Sequence, residues 1–316
     1  MGKITQTKRL KSYYKIYEQI YRDPLIYIAE ISDNTGVSRN AVAKYLQEMY
    51  ADNILTGPSL CMKPHTNYQE YLYFLNFSDP FTVFDGLKEV PNVVSRLITF
   101  GDWNIVLVTS KLLNFSVLQH FETVVKMYPK GISYTPRVEL TTWESLAHID
   151  INTDCEPDYH ESRRNSLDWG PDEWKLFHVF KSNLRVKITP LLRKIGVRYD
   201  IYKQWKEELN DHCTIHTGFY PEGYREYMAY QFLFCTDRKP LLKSVFSQFP
   251  TTPVLTEMGD QLSVCVSVPF SDASKHLFCI IYNMRIQGVI TEFSQAAALF
   301  YNQCKELHSD EHGAEP

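Results

Sequence analysis

Over the first sixty residues, apolar positions recur at the three- and four-residue spacing of helices. Leu10, Tyr13, Tyr14, Tyr17, Ile20 and Tyr21 predict a helix over residues 8–22, ended by Asp23 and Pro24. Leu25, Ile28, Ala29 and Ile31 predict a second over 25–34. Gly36 can take the positive φ of a tight inter-helix turn, and the Ser38 hydroxyl can cap the helix that follows. In that third helix Val42, Leu46 and Met49 form one apolar stripe. ILTGPSLCM then reads as a two-stranded wing turning at Gly57 and Pro58. Three helices and a wing make a winged helix-turn-helix, assigned to residues 1–66.

From Tyr68 the period shortens. EYLYFLNF, VVSRLITFGD, WNIVLVTS and ISYTPRVELTTW read as strands, and PFTVFDGLKEV and NFSVLQHFETVVKM as helices. The order βαββαβ is the ferredoxin-like unit, residues 67–147. Residues 148–170 are polar and aperiodic and read as a linker. Asp154, Cys155, Glu156, Asp158 and His160 there are too mixed a set to predict a metal site.

The pattern then repeats. Gly196 and Val197 match Gly36 and Val37 at an offset of 160. YREYMAYQF from Tyr224 matches YQEYLYFLN from Tyr68 at 156, and MGDQLSVCV from Met258 matches FGDWNIVLV from Phe100 at 158. The expected fold is α+β: two winged helix-turn-helix modules (1–66, 171–221) alternating with two ferredoxin-like domains (67–147, 222–304), before a disordered tail (305–316). Each sheet would have one face left to cover, so the sheets should pack face to face, within or between chains.

Charge sharpens this picture. The chain carries a net charge of −4, yet residues 1–65 and 171–218 each hold nine Lys or Arg against six Asp or Glu. Two basic modules on an acidic body would steer a polyanion to the modules. The third helix presents Ser38, Arg39, Asn40, Ala43 and Lys44 away from its apolar stripe. Arg suits guanine, Asn suits adenine and Ala leaves room for a thymine methyl, so double-stranded DNA is the expected partner. In the second module Arg198, Tyr199 and Asp200 stand where Ser38, Arg39 and Asn40 stand in the first. Arg198, Lys203 and Lys206 could hold phosphates and Tyr199 a sugar; the alternative is a structural relic. His212, Cys213 and His216 read as incidental residues of its wing.

A winged helix followed by βαββαβ, with FGDWN between the second and third strands, resembles the Lrp/AsnC (feast/famine) transcription regulators. The resemblance covers residues 8–144, although that family more often has an aromatic between the glycine and the acid. It implies a regulator that binds a small-molecule effector and assembles as a homodimer or higher oligomer. Thr99, Gly101, Asp102, Trp103 and Asn104 would contact the effector in the first sensor, Gly259 and Asp260 in the second.

Catalytic signatures are absent: there is no P-loop, no GxSxG, no GxGxxG after a strand and no HExxH. The histidines look isolated. The reading is therefore a regulator and not an enzyme, with no cofactor and no metal. One enzymatic alternative survives, because siroheme decarboxylases resemble these regulators and hold a tetrapyrrole with His and Arg residues; Arg96, His120 and Arg137 are the candidates here. A third reading is a winged-helix module that binds proteins. The seven scattered cysteines, without a CxxC pair, read as reduced and mostly buried, and no membrane span or signal peptide is evident, so a cytoplasmic location is expected.

Overall fold

The computed structural model describes residues 6–149, 151 and 165–303. The acidic linker cluster from Asp154 to His160 and the tail from 305 lie outside them. The chain begins with α1 (Gln6–Arg22), α2 (Ile28–Thr35) and α3 (Arg39–Ala51). Tyr13, Ile16, Tyr17, Ile20, Ile31, Val42, Leu46 and Met49 form their shared core.

The expected hairpin wing does not form. Residues Leu55–Met62 are a single strand, β1, bulged near Gly57 and Pro58 instead of reversing there. Its partner comes from the far half of the chain. There α5 (Pro171–Phe180), α6 (Ile188–Ile195) and α7 (Tyr199–His212) lead directly into β7 (Cys213–Phe219), which pairs antiparallel with β1. His212 thus ends a helix, and Cys213 and His216 lie in a strand rather than in a wing turn. The pairing exchanges core residues. Phe219 of β7 stacks on Tyr17 in the first core, with ring centroids 5.0 Å apart, while Leu60 and Met62 of β1 enter the second core with Phe180, Trp205 and Leu209.

The body is one nine-stranded sheet. Its first part runs β2 (Tyr71–Phe77), α4 (Pro80–Gly86), β3 (Val93–Gly101), β4 (Ile105–Thr109) and β5 (Phe121–Pro129). The helix expected over NFSVLQHFETVVKM is replaced by a 3-10 turn at Phe115–Val117 and by β5. Thr123, Val124 and Val125 are β-branched, His120 takes a positive φ of 64°, and β2 would otherwise leave an unpaired edge. The strand expected over ISYTPRVELTTW shrinks to β6 (Ser133–Tyr134). Beyond Pro136 the chain crosses α1, where Tyr14 Oη donates to the Val138 carbonyl and the Val138 N–H donates to Tyr17 Oη.

The second part runs β8 (Tyr227–Cys235), α8 (Lys239–Ser247), β9 (Val254–Met258), β10 (Gln261–Pro269), α9 (Ala273–Ile286) and β11 (Glu292–Gln303). Residues from the end of the first expected sensor and from the expected linker also join this part: Trp143 and Leu146 of the former and Ile151 of the latter pack into the core beneath α8 and α9.

Across the sheet the order is β5-β2-β4-β3-β11-β8-β10-β9-β6. The two parts are therefore joined edge to edge at β3–β11, which was not expected. Their helix-free faces also meet, Leu72, Phe74, Trp103 and Val106 of one packing with Leu233, Met258 and Ala296 of the other. The end strands β5 and β6 are consecutive, linked by residues 130–132. Four peptide steps reach at most about 14 Å, so the sheet must curl until its ends meet.

That closure is polar at its hinge. Gly131 N donates to the Glu257 carbonyl at 2.8 Å. The buried Lys130 ammonium donates to Glu70 at 2.7 Å and to Cys61 Sγ at 3.2 Å. Burial disfavours its charge, but Cys61 and Glu70 outweigh this and raise its pKa. Just beyond, His216 Nε2 lies 2.9 Å from the Ser133 carbonyl and ties β7 to β6. His65 is not isolated either: its Nε2 lies 3.0 Å from His212 Nδ1. The five described cysteines are free, but only Cys213 is fully buried and Cys279 is exposed.

Two predictions follow from this packing. Gly101 has φ 153°, and a Cβ there would sit 2.5 Å from the Gln295 carbonyl oxygen at the β3–β11 seam. Gly101→Ala is expected to lower stability by about 1–3 kcal/mol, read as a drop in Tm; an unchanged Tm would contradict the seam. Burial lowers the His216 pKa to about 4. The unfolded chain, with a pKa near 6.5, then takes up the proton first, so stability present above pH 6.5 is lost as pH falls towards 4. Because the residue keeps part of its surface in solvent, about 3 kcal/mol is an upper bound. The lowered pKa of His65 acts in the same direction. His216→Gln should flatten the fall in Tm between pH 7 and 4.5, and an equally steep fall would refute the assignment.

Candidate nucleic-acid interface

α2 and α3 are set by local chemistry. Glu30 accepts from the Tyr27 N–H at the start of α2, and Gly36 closes it with φ 71°, donating to the Ser32 carbonyl at 3.0 Å. Ser38 then caps α3, its hydroxyl accepting a long hydrogen bond from the Ala41 N–H at 3.4 Å. With Val42, Tyr45, Leu46 and Met49 buried, the opposite face is exposed and carries Arg39, Asn40, Ala43, Lys44 and Gln47. Arg39 and Asn40 point away from the core and engage no partner among the described residues.

Glu48 is the acid that would spoil this face, and it is drawn aside. Arg9 pairs with it at 2.7 Å and Tyr13 Oη donates to it at 2.8 Å, whereas Lys44 is 3.9 Å away. The Tyr13 hydrogen bond is the main cause of the lowered Glu48 pKa, and burial pushes the Tyr13 hydroxyl up to about 12. Lys44 is left to face outward. Nothing local in the sequence signals this arrangement, because Arg9 and Glu48 meet only when α1 crosses α3.

The second module repeats the scaffold with different chemistry. Gly196 takes φ 68°, and Tyr202, Trp205 and Leu209 are buried. Arg198, in the position of Ser38, makes no side-chain cap. Tyr199, Asp200 and Lys203 are exposed; Arg198 pairs with Asp200 at 3.1 Å and Lys203 with Glu207 at 3.9 Å. The modules are fixed to each other by more than β1–β7. Leu25 packs on the second core, and an Arg185 guanidinium N–H donates to the Pro24 carbonyl at 3.0 Å.

The predicted effector residues are brought together only in part. Thr99 donates to the Trp103 carbonyl at 2.8 Å, Trp103 is fully buried against Phe74, and Asn104 bonds the Phe77 backbone in both directions. Asp102 accepts from the Gln295 N–H at 2.8 Å, so this turn stitches β3 to β11. Gly259 and Asp260 sit apart, in the exposed β9–β10 turn.

Arg96, His120 and Arg137 do not converge. The Arg96 guanidinium turns into the body and donates to the Phe84 carbonyl, and Arg137 pairs with Glu18 of α1 at 3.0 Å. His120 lines an open cleft with Thr82, Val83, Leu87, Val90 and Leu118. Its volume is about 210 Å³, below the roughly 300–1,000 Å³ typical of ligand pockets. Among the described residues no group of three His, Cys, Asp or Glu side chains could hold a metal, and no helix is long and apolar enough to cross a membrane.

Comparison with known proteins bears on two parts of this account. No curated protein matches the chain in sequence. In fold it is similar to the siroheme decarboxylase NirDL, with a TM-score of 0.50 and 8% identity, covering 92% of this chain and 91% of that one. NirDL in co-complex with an iron-uroporphyrin III analogue gives a TM-score of 0.48, also at 8% identity, over 92% of each chain. The expectation that this is not an enzyme is thereby corrected, because a decarboxylase carries a similar fold over 91% of its length. Residues 13–56, the segment that presents Arg39 and Asn40, match the family of winged helix-turn-helix DNA-binding domains.

Proposed function

We propose that the chain is a sequence-specific transcriptional regulator of the Lrp/AsnC type that reads duplex DNA with α3. The observation that carries this is the free face of α3: Arg39, Asn40 and Ala43 are exposed on a helix whose fold matches a DNA-binding family, and the nearby acid Glu48 is neutralised by Arg9. Arg39 would pair with guanine and Asn40 with adenine, while Ser38 and Lys44 would hold phosphates.

The Lrp/AsnC type and the tandem duplication are supported by repeated topology. In chain order the strands of each half lie 4-1-3-2 across the sheet, β5-β2-β4-β3 and β11-β8-β10-β9. Each group follows three helices and a strand. A small effector beside Asp102 and Trp103 would act at the seam between the halves, and the buried Trp103 indole N–H is a donor without a partner among the described residues. Such a ligand would alter DNA affinity only by favouring one arrangement of the seam over another. Self-association is not needed to cover the open sheet faces, because the two halves already cover each other.

The test is Arg39→Ala. Specific affinity should fall by about 1–3 kcal/mol, with little change on unrelated duplex. Equal affinity of variant and wild type for the specific site would contradict the reading.

A second reading, tetrapyrrole chemistry, is favoured by the whole-chain likeness to NirDL. Added siroheme should then produce a protein-bound Soret band that His120→Ala diminishes. A spectrum identical to that of free siroheme would remove this reading.

A further inference from the structure

We infer that one copy of the chain engages a DNA site with two unlike halves, one read base by base by α3 and the other gripped only by its phosphates through α7. This rests on the regulator reading of α3. The geometry comes from the strands that follow the two reading helices. β1 leaves α3 and β7 leaves α7, and the two pair antiparallel from Leu55↔Phe219 to Met62↔Cys213. Antiparallel pairing of equivalent strands relates the two three-helix modules by an approximate two-fold axis. That is the relation by which dimeric helix-turn-helix proteins address half-sites about one helical turn apart. Here it is built into a single polypeptide, and the exchange of Phe219, Leu60 and Met62 between the cores makes the spacing a fixed property of the fold.

The two reading faces differ in what they can recognise. α3 offers Arg39, Asn40, Ala43 and Gln47. At the corresponding positions α7 offers Tyr199, Asp200, Lys203 and Glu207. Arg198 pairs with Asp200, Lys203 faces Glu207, and Gln204, at the position of Lys44, spends its amide N–H on Glu208 at 3.0 Å, so the centre of this face carries no net charge and no unengaged Arg, Asn or Gln for a bidentate purine contact. An acid where Asn40 stands in the first module also repels the groove. The cations lie to the sides: Lys206 on α7, with Arg193 and Lys194 in the last turn of α6, all exposed. Cations flanking a neutral reading face suit a phosphate backbone and carry no sequence information.

The operator would therefore be asymmetric, with sequence confined to one side, and would be filled by one chain. The experiment uses the full chain and a duplex recovered by selection from a random library. Light scattering of the complex should give one chain per duplex. Hydroxyl-radical footprinting should show two protected windows about 10 bp apart on one face. Base substitutions in one window should weaken binding about 10-fold or more, and in the other less than about 2-fold. The double variant Lys194→Ala, Lys206→Ala should weaken specific and unrelated duplexes alike and reduce the salt slope by about two. In contrast, Arg39→Ala should act only on the specific site.

Two chains on a palindromic site, equal sequence dependence in both windows, or protection of a single window would each overturn the inference while leaving α3 as a reader. Failure to select any duplex would overturn the regulator reading together with it.

Discussion

The pairing of β1 with β7 is the constraint from which the architecture follows. Each strand emerges from its own three-helix module with an unpaired edge, and each finds its partner some 150 residues away. The pairing supplies hydrogen bonds and also completes both cores, since Phe219 fills a gap beside Tyr17 and Leu60 and Met62 fill one beside Trp205. Burying side chains of this size is worth about 1.5–3 kcal/mol each. Neither module can keep that contribution alone, so the modules fold as a pair. A hairpin wing would have satisfied β1 locally but left both cores open.

The body obeys the same logic. Two sheets of four strands could have met only face to face. They also share the β3–β11 edge, and the short link from β5 to β6 draws the far ends together. Lys130 stands at the point where β1, β2 and β5 converge, and Glu70 and Cys61 keep its charge affordable there. The turn expected to contact an effector also serves the seam, with Asp102 bound to Gln295 and Trp103 buried. A ligand that disturbed it would be felt in both halves. The siroheme decarboxylase NirDL has a similar fold, while residues 13–56 match a DNA-binding family. On α3, Arg39, Asn40 and Ala43 face outward, opposite the buried Val42, Tyr45, Leu46 and Met49.

The local features of this fold were legible in the sequence. Gly36 as a helix stop, Ser38 as a cap and the Val42–Leu46–Met49 stripe depend on residues within a turn or two of each other, and the sequence placed α1–α3 and the exposed Arg39 and Asn40 accordingly. The errors share one physical cause. β1 read as a hairpin because Gly57 and Pro58 mark turns when nothing distant intervenes; β7 intervenes. Residues 114–127 read as a helix because their apolar spacing permits one, yet the vacant edge of β2 and the β-branched run at 123–125 favoured a strand from Phe121 on. His65–His212 and Arg9–Glu48 were invisible because each joins elements that meet only in the folded chain.

Native-state hydrogen exchange tests the interdependence of the halves most directly. If each core is completed by the other module, the β1 and β7 amides open only when the whole chain does. Their exchange free energies should then equal those of the central β8 and β10 amides and fall with them in denaturant. Exchange of β1 and β7 at free energies several kcal/mol below that of the body, with the α1–α3 amides still protected, would show modules that stand alone and would contradict this account.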